Sequence, residues 1–138
     1  METAILISTD KSLLDVKKIH FEIKNSYWGG YQSKEQTQKT IENSICYGVY
    51  QLGEQIGFAR VITDEVVFAH IMDVVIFEGS KGQGLGRRLI EHVLGDPRLN
   101  VLTICLKTKD AHTFYGKYGF KTVGNSELWM AIDTTKLD

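Results

Sequence analysis

Residues 73–90 read DVVIFEGSKGQGLGRRLI, and this stretch decides the fold. Asp73 aside, it opens on a β-branched apolar run, passes through a glycine-rich tract, and closes on apolar residues at helical spacing. Leu85, Leu89 and Val93, with Ile90 and Leu94 beside them, mark one helix face that ends near Gly95, Asp96 and Pro97. The order is therefore strand, tight glycine turn, amphipathic helix. Upstream, ICYGVYQ, the turn LGE, QIGFARVIT, the turn DE and VVFAHIMDVVIF predict three antiparallel strands. Further back, the run from Ala4 to Ser8 predicts a strand. Ser8, Thr9 and Asp10 offer caps for a helix carrying Leu13, Val16, Ile19 and Ile23. Ser33 and Gln36 have the spacing of a capping box for a second, more polar helix. Downstream, VLTICLK predicts a strand, DAHTFYGKYG a short helix stopped by Gly119, and KTVG and LWMAID two final strands.

The length of 138 residues suits one domain, 1–138, able to bury a core. Hydrophobic residues at 43% and charged residues at 24% are globular values and exclude a disordered chain or a rod. The expected class is α/β in the mixed α+β sense, a mostly antiparallel central sheet flanked by about four helices. A net charge of -1 argues against a nucleic-acid or anionic-membrane binder. The charge is uneven: residues 81–121 hold eight basic side chains against Glu91, Asp96 and Asp110, a surplus of five, and the rest of the chain carries -6. Cys46 and Cys105 lie far apart with no Cys/His spacing for zinc, so no metal and a reducing, cytoplasmic setting are expected. Both cysteines read as small core hydrophobes. No run is long enough to cross a membrane, and the short apolar N-terminal run lacks the features of a signal segment.

Lys81-Gly82-Gln83-Gly84-Leu85-Gly86-Arg87 is the strongest chemical signal. Glycines let backbone N–H groups converge at the start of a helix, where the dipole adds partial positive charge, so such a turn can hold phosphate. Lys81, Arg87 and Arg88 add to that field. The same glycines would also serve a tight turn with no ligand. A P-loop needs a hydroxyl after Gly-Lys, whereas Gly86 is followed by two arginines. A dinucleotide fingerprint needs glycine where Arg87 stands, and an acid where the next strand ends in Lys107 and Thr108.

The tract in DVVIFEGSKGQGLGRRLI, followed by AHTFYGKYGF at 111–120, resembles the GNAT superfamily of N-acetyltransferases. Gly84 and Gly86 match its first motif, and Ala111, Tyr115, Gly119 and Phe120 match its second. Lys81 stands where the family carries Arg or Gln, keeping the charge but not the bidentate fork. Thr108 stands where many members carry Asn. The resemblance implies acetyl-CoA as cofactor, with the pantetheine arm held by the backbone of Val74, Val75 and Ile76 and the pyrophosphate by the tract from Lys81 to Arg87. It implies Tyr115 as the general acid that protonates the departing thiolate, since a phenol stays protonated at neutral pH. Outside the motif, a tyrosine here would simply pack.

Asp73 is the candidate base, either directly or through a water; an acid in an apolar run is otherwise a hydrogen-bonded structural group, for which Arg60 is the available partner. Strict alternation puts His70 and Asp73 on opposite faces, and a bulge would change that parity. His70 and His112 are weaker candidates for a catalytic role. Tyr27, Trp28 and Tyr31 are expected to wall the acceptor site or to cap the core. The acceptor is expected to be a primary amine on a small molecule or peptide, with the protein acting as monomer or homodimer. The alternative is a non-catalytic acetyl-CoA-binding sensor, which would lack the proton donor that Tyr115 supplies.

Overall fold

The structure is a computed structural model that describes residues 4–26 and 32–134. The chain divides into two compact units, Met1–Leu106 and Lys107–Asp138. In the first, a five-stranded sheet runs in the order β1-β2-β3-β4-β5, with β1 at Ile5–Ser8, β2 at Ile45–Gln51, β3 at Glu54–Thr63, β4 at Phe68–Ile76 and β5 at Thr103–Cys105. Four strands are antiparallel neighbours; β5 alone is parallel to its partner, β4. The mixed α/β fold is the expected one.

Turn chemistry sets the meander. Leu52 (φ 53°) and Gly53 (φ 79°) give the left-handed pair that a tight β2–β3 hairpin needs. In the β3–β4 turn, Asp64 Oδ1 accepts from the N–H groups of Val66, Val67 and Phe68 at 2.8–3.1 Å.

Helices cover both sheet faces. On one side α1 (Val16–Lys24) and α2 (Lys34–Glu42) pack Ile19, Ile23 and Ile41 against Cys46, Phe58 and Phe77. On the other, α3 (Leu85–Leu94) buries Leu85, Leu89, Ile90 and Val93. Its end is tied to β2, where Tyr47 donates to Asp96 Oδ2 at 2.8 Å and meets the His92 ring edge-on. The capping box on α2 is present, Ser33 Oγ accepting from Gln36 N–H while the Gln36 side chain accepts from Ser33 N–H.

The first helix begins later than the sequence suggests. Asp10 caps a 3-10 turn at Lys11–Leu13, Leu14 is extended, and Asp15 then caps α1 through Lys18 N–H. Leu14 and Val16 pack on the core while Leu13 is exposed, so burial of Leu14 breaks the helix that propensity alone would continue.

In the second unit α4 (His112–Gly116) is followed by Gly119 at φ 94°, where the expected stop falls. The two expected final strands are absent: residues 121–124 and 129–133 carry no strand, and Ser126–Leu128 forms a 3-10 turn. Met130 and Ile132 are exposed. Alternating apolar residues give strand propensity, but a strand forms only as part of a hydrogen-bonded ladder. Cys105 also departs from expectation, being half-buried, whereas Cys46 is buried.

Candidate active site

The register of β4 creates the site. Arg60 pairs with Met72 and Phe58 with Val75, so two steps along β3 face three along β4. The extra residue is Asp73, at φ 54°. This is the bulge that the parity of His70 and Asp73 left open. On its other side β4 pairs with β5 only from Phe68 to His70. Beyond His70, among the described residues, no strand ladder continues on that side, while Val75 and Ile76 stay paired to β3. A sheet that opens this way leaves main-chain donors and acceptors available to a ligand.

The chain then runs into the glycine tract. Ser80 N–H bonds to Phe77 O at 3.0 Å, and Gly79, Gly82 and Gly84 have φ of 92°, 84° and 72°. Gly84 is the N-cap of α3, a left-handed cap with no side-chain bond to the first turn. Gly84 brings no side-chain acceptor to the first turn of the helix, no acid lies in that turn, and Arg87 and Arg88 are exposed there. Two cations at a helix start are unfavourable unless an anion offsets them. Leu85 is buried and anchors the turn, and Gln83 and Gly86 complete it. Lys81 pairs with Glu78 at 3.2 Å, both side chains exposed.

Val74, Val75, Ile76, Lys81, Gly82, Gly84, Leu85 and Gly86 line one cleft of about 660 Å3 together with α1. The lining from α1 and the two residues that follow it, Phe21, Glu22, Asn25 and Ser26, is not among the residues that the motifs mark. Glu22 Oε1 accepts from Glu78 N–H at 3.2 Å, fastening α1 to the start of the tract. The available signal was its spacing: Phe21, Glu22 and Asn25 flank the buried pair Ile19 and Ile23, so they face whatever lies beside the core. The start of α1 is held by buried Gln55, whose Oε1 accepts from Asp15 N–H and whose carbonyl accepts from Lys18 Nζ.

Asp73 has a buried partner. Its Oδ2 accepts from Arg60 Nε at 2.8 Å, with side chains 8% and 7% exposed. Of the two roles open to it, this arrangement accounts for the hydrogen-bonded acid. His70 lies in register with Cys105 and meets the Phe68 ring edge-on. In the second unit, Tyr115 stacks edge-on with Phe114 and Phe120, at 5.0 and 5.9 Å between ring centres. Thr108 Oγ1 accepts from Ala111 N–H at 3.0 Å, closing the turn before α4. Tyr27, Trp28 and Tyr31 lie outside the described residues.

A mixed sheet opened beside a bulge, with a glycine turn leading into a helix, is the architecture of an acyl-CoA-dependent transferase. The chain belongs to the GNAT acetyltransferase family: residues 15–134 match its acetyltransferase (GNAT) domain. A crystal structure of a candidate GNAT acetyltransferase from Xanthomonas campestris pv. campestris is 32% identical, covers 95% of this chain and 94% of that one, and superposes with a TM-score of 0.91. A candidate acetyltransferase from Gibberella zeae is 29% identical over 84% of this chain and 78% of its own length. The fold also matches N-acetylglutamate synthase from Neisseria gonorrhoeae, solved with coenzyme A and N-acetyl-glutamate, at 20% identity and a TM-score of 0.73 over 92% of this chain and 30% of that one.

Proposed function

We propose that residues 1–138 form one catalytic domain that transfers an acetyl group from acetyl-CoA to a primary amine of a small molecule or peptide, without an acyl-enzyme. The observation that carries this reading is the side of β4 beyond His70, which has no strand ladder among the described residues and leads directly into the glycine tract in a member of an acetyltransferase family. The domain assignment is supported by a family match that spans both compact units.

Acetyl-CoA, when bound, supplies a thioester carbonyl. The backbone of Val74, Val75 and Ile76 would hold the pantetheine arm. The N–H groups of the tract from Gly82 to Gly86 would hold the pyrophosphate, with charge from Lys81 and Arg87. Thr108, at the position where many members carry Asn, is proposed as a further cofactor-binding residue. A neutral amine would take the acetyl group from the thioester, a C–N bond replacing the C–S bond and the nitrogen giving up a proton. Tyr115 would supply the phenolic proton that the departing thiolate needs. The ion pair of Asp73 Oδ2 with Arg60 disfavours this carboxylate as the direct acceptor of the amine proton, which favours a water in that role. Cys46 is unsuited to a covalent route, because burial pushes its thiol up to about 11. The -6 balance outside residues 81–121 favours a cationic acceptor. Tyr27, Trp28 and Tyr31 fall in sequence between α1 and α2 and are proposed as the aromatic wall of the acceptor site. Two free thiols support a reducing, cytoplasmic setting, for a monomer or homodimer. Among the described residues no helix is long and apolar enough to cross a membrane.

Thermal unfolding with acetyl-CoA, ATP and NADH, followed by CoA release from a panel of amines, peptides and aminoglycosides, tests this reading. Acetyl-CoA alone should raise Tm. Tyr115→Phe should keep that rise and lower turnover by about a hundredfold. Turnover in the parent should climb with pH toward an amine pKa of about 10.4. Stabilisation by acetyl-CoA without CoA release from any amine would instead indicate a sensor.

A further inference from the structure

Asp73 adopts φ 54°, a left-handed conformation that is uncommon outside glycine and breaks the extended backbone, in the middle of a strand. Something must hold it there. Arg60, only 5% exposed, reaches three partners from β3: its Nε donates to Asp73 Oδ2 at 2.8 Å, its Nη1 to Ser44 Oγ at 3.1 Å, and its Nη2 lies 3.4 Å from Met72 Sδ. One rigid guanidinium thus grips the bulge residue, the residue before it, and the approach to β2. The next three residues are Val74, Val75 and Ile76. Because strand side chains alternate, a bulge displaced by one position would turn each of these over and exchange the backbone groups facing the cleft.

We propose that Arg60 and Asp73 are paired positioning residues that fix the bulge so that the backbone of Val74–Ile76 meets coenzyme A, and that Asp73 acts through this geometry rather than as the base. The proposal rests on the acetyl-CoA reading above. It separates two quantities that a base or a plain stabilising contact would not: affinity for coenzyme A depends on the pair, and the pH profile of turnover does not.

Titration calorimetry with coenzyme A on the full chain, with kcat and KM for acetyl-CoA measured against pH, provides the test. Asp73→Ala and Arg60→Met should each raise the Kd for coenzyme A by about tenfold. The double variant Arg60→Met/Asp73→Gly removes both charges and lets the backbone keep a positive φ without strain, so its Kd should return to within about threefold of the parent. Its acid limb in the pH profile should match the parent's. Should Asp73→Ala not fold, Arg60→Lys carries the same test: it keeps the charge but loses the fork, and KM for acetyl-CoA should rise by a larger factor than kcat falls. Unchanged Kd in the folded single variants overturns the proposal, and so does a double variant with parental Kd that has lost the acid limb, which would make Asp73 the base. A parent that fails to bind coenzyme A overturns the cofactor reading itself.

Discussion

Gly48 in β2 lies under the ring of Tyr50, two residues on along the same strand. A Cβ added at Gly48 would come within 2.7 Å of Tyr50 Cε2 and closer still to its hydroxyl. Tyr50 is 6% exposed, its buried hydroxyl has no hydrogen-bond partner among the described residues, and burial raises its pKa to about 12. In a strand, Ala ordinarily gains about 0.5–1 kcal/mol over Gly. Here overpacking should outweigh that gain, and Gly48→Ala should destabilise by about 1–3 kcal/mol in urea unfolding with the m-value unchanged. An equal or higher midpoint would show that the ring has room to move. Nothing in ICYGVYQ announces this, because the constraint depends on which way the Tyr50 ring turns. Asp73 is the opposite case: an acid within an apolar run, with an arginine on the neighbouring strand, is legible in the sequence itself. The bulge that brings its carboxylate to Arg60 is what periodicity cannot locate.

At the level of elements, strand and helix order from residue 5 to residue 116 follows the hydrophobic period closely, and Ile45–Gln51 is reproduced to the residue. Legibility fails where tertiary contacts override local preference. Leu14 delays α1, and the apolar runs after Gly119 remain strand-like only in composition. The glycine tract was legible because its geometry is intrinsic. At Gly84, φ is 72° and an added Cβ meets nothing within 4 Å, so replacement costs conformation and not space. Gly84→Ala should therefore lose about 1–2 kcal/mol, a fall in Tm of about 3–10 °C, without an altered core. It should also weaken coenzyme A binding, read by calorimetry. An unchanged Tm would show that the turn can adopt another cap. The α1 side of the cleft was not legible, since Glu22 reaches Glu78 across 56 residues and only the folded chain brings them together.

Over the molecule as a whole, the acid response should centre on the end of α3. Asp96 accepts from both Nε and Nη2 of Arg98, from Arg98 N–H and from Tyr47, and these bonds bring its carboxyl down to about 2. A depressed folded-state value contributes stability above the unfolded value of about 3.9, and the contribution is lost as pH falls through about 2. Asp96→Asn should cost about 1–2 kcal/mol at pH 7, allowing for solvent screening at the 42%-exposed Arg98, and the difference from the parent should shrink between about pH 4 and pH 2. A pH-independent difference would assign the loss to packing around Tyr47. The opened side of β4 has a consequence for solubility as well. Unpaired main-chain groups along a strand invite pairing with a strand from another molecule, the first step of aggregation. The kink at Asp73 interrupts the two-residue rhythm that an incoming strand would have to match, and added twist turns the following residues out of line with it. The same irregularity that leaves β4 open to a small flexible ligand therefore makes it a poor template for a foreign β-strand, and loss of the kink should appear as self-association of the unliganded protein.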